Sequence, residues 1–68
     1  MRKNLKEWQK VNGFRVEFII EKMGISYSTW SLWRSGKREP TLEHIYKFNK
    51  EFGDTVPDGN ILKLFEKI

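Results

Sequence analysis

The chain has 68 residues, a net charge of +4 and a pI near 9.6, which reads as one small domain with a marginal core and a charge suited to a polyanionic partner. It has no cysteine and a single histidine, so disulfide frameworks and the usual zinc sites are excluded and no metal or cofactor is expected. With no apolar run long enough to span a bilayer and no signal-peptide apolar region, the expected protein is cytoplasmic and binds no membrane.

Punctuation along the chain predicts five short helices, an all-α fold. Asn4 followed by Glu7 reads as a capping-box start to a first helix through Val11, with Leu5, Trp8 and Val11 facing inward and Asn12-Gly13 ending it. Arg2, Lys3, Lys6 and Lys10 read as a solvated face, with DNA-backbone contacts as the alternative. A second helix spans residues 16–23 and starts near Arg15, with Phe14 as an apolar contact just before it. Its face carries Ile19, Ile20 and Met23, and Glu17 and Glu21 lie on its outer side as solvated charges. Gly24 supplies the left-handed residue that ends it, Ile25 plugs the corner, and Ser26 can cap the next helix through its hydroxyl.

The third helix covers 27–34 and stops at Gly36, with Trp30 and Trp33 on one face as core residues against Ile19, Ile20 and Met23. Pro40 precedes Thr41, a good N-cap, and Leu42, Ile45, Tyr46, Phe48 and Phe52 then recur at helical spacing until Gly53. His44, without a partner at metal spacing, reads as a surface or interface histidine. Beyond the connector Asp54-Thr55-Val56-Pro57, Asp58 is expected to cap a final helix carrying Ile61, Leu62, Leu64, Phe65 and Ile68, with a strand as the alternative.

Residues 16–35 therefore describe two helices joined by a short glycine-containing turn, the helix-turn-helix arrangement whose second helix enters the DNA major groove. Here the sequence resembles the lambda-repressor-like (Cro/CI/Xre) DNA-binding domains of phage and bacterial regulators. Apolar residues at Ile19, Met23, Ile25, Trp30 and Trp33, the turn Gly24, and the exit Gly36-Lys37-Arg38-Glu39-Pro40 match the family pattern over roughly residues 4–53. Ile20 departs from it, standing where alanine is usual, and so does Val16, in a place often held by a glutamine that bonds the DNA backbone.

The resemblance implies a compact five-helix domain over 1–68 and a transcriptional regulator, Cro-like or a minimal CI-like repressor, acting by operator occupancy. The alternative is a protein-interaction module of the same fold that binds another regulator, as antirepressors and antitoxins do. No catalytic constellation supports an enzyme.

In the major-groove pose the first residues of the third helix and its face opposite the tryptophans approach the bases, namely Tyr27, Ser28, Ser31 and Leu32. Tyr27, Ser28 and Leu32 also fall on base-reading positions of the family pattern. Thr29, Arg34, Lys37 and Arg38 are the expected phosphate contacts. A homodimer is expected through residues 54–68, because Ile61, Leu62, Leu64, Phe65 and Ile68 form a stripe too wide for one helix to hide against so small a body, with closure of the monomer's own core by the same residues as the equal alternative.

Overall fold

The computed structural model describes residues 2–56 and 59–66. Among them lie α1 (Lys3–Asn12), α2 (Val16–Met23), α3 (Tyr27–Ser35), α4 (Leu42–Phe52) and the single-turn α5 (Ile61–Leu64), with a 3-10 turn at Gly53–Thr55. No strand occurs among the described residues, and none of the helices is long and apolar enough to cross a membrane.

The boundaries of α2 and α3 follow from local chemistry. Gly24 takes φ +66°, so its N–H reaches Glu21 O at 3.3 Å while the Ile25 N–H reaches Ile20 O at 3.1 Å, the paired closure that satisfies the last carbonyls of a helix. Ile20 and Ile25, which bracket this turn, are both partly buried against the core. The Ser26 hydroxyl accepts the Thr29 N–H at 3.1 Å and opens α3. The Thr41 hydroxyl accepts the His44 N–H at 3.2 Å and opens α4 in the same way. A side chain at Gly24 would face both a left-handed backbone and Lys47 Nζ, 3.3 Å from the Cβ position. Gly24→Ala is therefore expected to cost about 1–2 kcal/mol, visible in a thermal melt as a drop of about 4–8 °C per kcal/mol. An unchanged midpoint would mean that the turn relaxes freely.

The start of α1 differs from the expected capping box. Arg2 holds the N-cap position without a side-chain cap, and the Asn4 amide instead donates to Lys63 O at 3.0 Å, tying α1 to α5. Val11 is also not inward: it is 73% exposed. At about 100° per residue it lies about 90° from the direction midway between Leu5 and Trp8, and only Leu5 and Trp8 of α1 are buried in the core. The Asp58 cap falls outside the described residues; Asn60 caps α5, its side-chain oxygen accepting the Lys63 N–H at 3.1 Å.

The core gathers Leu5 and Trp8 from α1, Ile19 and Met23 from α2, Trp30 and Trp33 from α3, Phe48 and Phe52 from α4, and Val56, Leu64 and Phe65 from the C-terminal segment. Its rings meet tilted or edge-on, as their quadrupoles favour. Trp8 stands 5.1 Å from Phe48 and 5.3 Å from Phe52, and Phe65 makes T-shaped contacts with Phe48 at 5.1 Å and with Trp33 at 6.1 Å. Leu42 and Tyr46, on the expected apolar face of α4, are instead exposed.

Candidate nucleic-acid interface

The position of α3 is set by its tryptophans. Trp30 and Trp33 are buried, which turns Ser28, Ser31 and Ser35 outward to solvent, with Leu32 half-buried beside them and Tyr27 exposed at the helix start. Ser35 was not among the expected site residues. Its signal was in the spacing, since it lies four residues beyond Ser31 and seven beyond Ser28 on the same face. Its hydroxyl donates to Leu32 O at 3.1 Å. The face is thus short and polar, with one branched apolar side chain and a phenol at its N-terminal edge.

Cations cluster at the other end. Arg34 is half-buried, and Lys37 and Arg38 are exposed in the loop that leaves α3. This loop is folded back on the helix: Gly36, at φ +83°, donates to Trp33 O at 3.1 Å, and the Lys37 and Arg38 N–H groups both donate to Leu32 O, at 3.0 and 3.2 Å. Both basic side chains consequently start from fixed points beside the last turn. Thr29 is less available than expected for phosphate. It is half-buried, and its hydroxyl lies 3.0 Å from the Ser26 hydroxyl inside the capping turn.

A cleft between this turn and the start of α4 is lined by the polar residues Ser26, Thr29, Arg38, Glu39, Thr41 and His44. The N-termini of α3 and α4, each with partial positive charge, border it. His44 is held by the Thr41 hydroxyl at 2.9 Å and stands edge-on to Trp33 at 5.1 Å. Among the described residues no group of His, Asp and Glu is placed to hold a metal ion. Glu17 and Glu21 are exposed on α2.

One expectation requires correction. Arg2 does not belong to the solvated face: it is fully buried, with its guanidinium on carbonyls of α3, the exit loop and the C-terminal segment. Helix ends leave orphan carbonyls, and a five-donor guanidinium can satisfy several at once. Lys3, Lys6 and Lys10 do face solvent. Within the C-terminal stripe, part of the apolar surface closes the chain's own core. Phe65 and Leu64 are buried and Ile61 packs against the core, which leaves Leu62 exposed. Ile68 lies outside the described residues.

The chain matches no family model, no curated protein and no solved structure.

Proposed function

We propose that the protein binds double-stranded DNA with α3 in the major groove, as a regulator acting by occupancy of its site. The observation that carries this reading is the division of α3: two tryptophans anchor it in the core, its outward face is narrow, and Arg34, Lys37 and Arg38 gather at its end. A helix with side chains is about 10–12 Å across and the groove about 12 Å wide, so a face built on serines lets the backbone approach the base edges closely. Ser28 and Ser31 can donate or accept there, Leu32 suits a thymine methyl, and Tyr27 meets a base or sugar at the entry. Arg34, Lys37 and Arg38 meet phosphates, with Thr29 as a secondary contact.

Short hydroxyls discriminate bases weakly, so the shape and deformability of the duplex carry part of the preference. The test begins with selection of preferred duplexes from a random library. Ser28→Ala and Leu32→Ala are then expected to weaken binding to the selected duplex by about 1 kcal/mol or more each while leaving random duplex nearly unchanged. Fluorescence anisotropy on both duplexes decides. Equal losses on the two would remove this face from base reading, and no binding of wild type to any duplex would end the proposal.

A further inference from the structure

Arg2 is a charged side chain at 0% exposure in a 68-residue chain, and burying a cation is costly unless it is paired and hydrogen-bonded. Its partners converge on one place. Nε donates to Phe65 O at 2.8 Å, Nη1 donates to Trp33 O and, at 3.1 Å, to Arg38 O, and Nη2 lies 2.7 Å from the Glu39 carboxylate. The Arg2 backbone N–H adds a bond to Arg34 O at 3.0 Å. One planar fork therefore fixes the end of α3, the exit loop and the end of the C-terminal segment relative to one another.

We propose that Arg2 is the positioning residue of the exit loop: it holds the Arg38 carbonyl and the Glu39 carboxylate so that Lys37 and Arg38 are presented in a single arrangement, and it links that arrangement to the docking of Phe65. Its functional half rests on the DNA-binding reading above. The Arg38 carbonyl is pinned from inside while its side chain stays exposed, which separates the group that positions from the group that contacts. A lysine cannot substitute, because a point charge with three donors does not span carbonyls on three segments in one plane.

The test compares wild type with Arg2→Lys and Arg2→Met by native-state amide exchange and by the salt dependence of binding to a fixed duplex, at a temperature where circular dichroism shows each protein folded. In the variants the Lys37 and Arg38 amides, which bond Leu32 O, are expected to exchange at least about tenfold faster than in wild type, with a much smaller change at Ile19 and Trp30. The log–log salt slope of binding is expected to fall by about one or more, as a lost phosphate contact requires. Equal acceleration at all four amides would show that Arg2 only stabilises the whole domain, and would overturn the proposal. Loop-selective exchange with an unchanged salt slope would overturn its functional half. If wild type binds no duplex, the DNA reading fails while the exchange ratio still decides whether Arg2 positions the loop. Should both Arg2 variants fail to fold, Glu39→Gln removes the carboxylate that Arg2 Nη2 meets, and the same selective exchange at Lys37 and Arg38 is expected; its absence overturns the proposal.

Discussion

Trp33→Ala is expected to destabilise the chain severely, by about 3–5 kcal/mol at 25 °C. The indole is 1% exposed and stands where three elements meet, with Trp30 at 6.4 Å, His44 of α4 at 5.1 Å and Phe65 at 6.1 Å. Truncating a buried tryptophan costs about 3–5 kcal/mol. A domain of this length has in total about 3–10 kcal/mol at the usual stability per residue. The loss is thus of the same order as the whole stability. Trp33→Phe, which keeps an aromatic ring in the site, is expected to stay folded with a lower melting temperature. Far-UV circular dichroism and a urea titration of both variants read the result. Native helicity and an unshifted cooperative transition in Trp33→Ala would show that Trp33 does not hold α3 against α4.

The contrast between α2–α3 and the chain ends shows which structural information is local. The spacing of Ile19, Met23, Trp30 and Trp33, with Gly24 and Ser26 between them, places helices at 16–23 and 27–34. The structure has them at Val16–Met23 and Tyr27–Ser35, because the turn bonds and cap that end and start them are made within a few residues. Asn4 had equally good capping chemistry and did not use it. Its amide found Lys63 O, a partner nearly the whole chain away that no local pattern can reveal.

The same distinction governs the site. The outward direction of Ser28 and Ser31 was legible because a helix with two tryptophans in the core must turn its opposite side outward. Arg2 was not, since a terminal arginine has the composition of a surface and its burial depends on carbonyls of α3 and Phe65. The stripe at Ile61, Leu64 and Phe65 shows a further gap in periodicity, which tells which residues share a face but not what covers that face. Here Phe48 and Trp33 of the same chain meet Phe65, and Leu64 and Ile61 pack into the same core.

Replacing Lys37 and Arg38 together by glutamine is expected to weaken binding to every duplex and to flatten its salt dependence. Both side chains are exposed and both backbone N–H groups are held on Leu32 O, so the substitution removes charge without removing the bonds that shape the loop. Each phosphate contact releases about one counterion on binding, and losing two should lower the log–log salt slope by about two. Because phosphate contacts carry little direct sequence information, the ranking among duplexes should survive. Ser28→Ala and Leu32→Ala predict the reverse, a changed ranking at an unchanged slope, so the two variant sets measured on the same duplexes separate base reading from backbone anchoring. A double variant that keeps the wild-type slope would place the phosphates away from the end of α3 and remove the proposed docking pose.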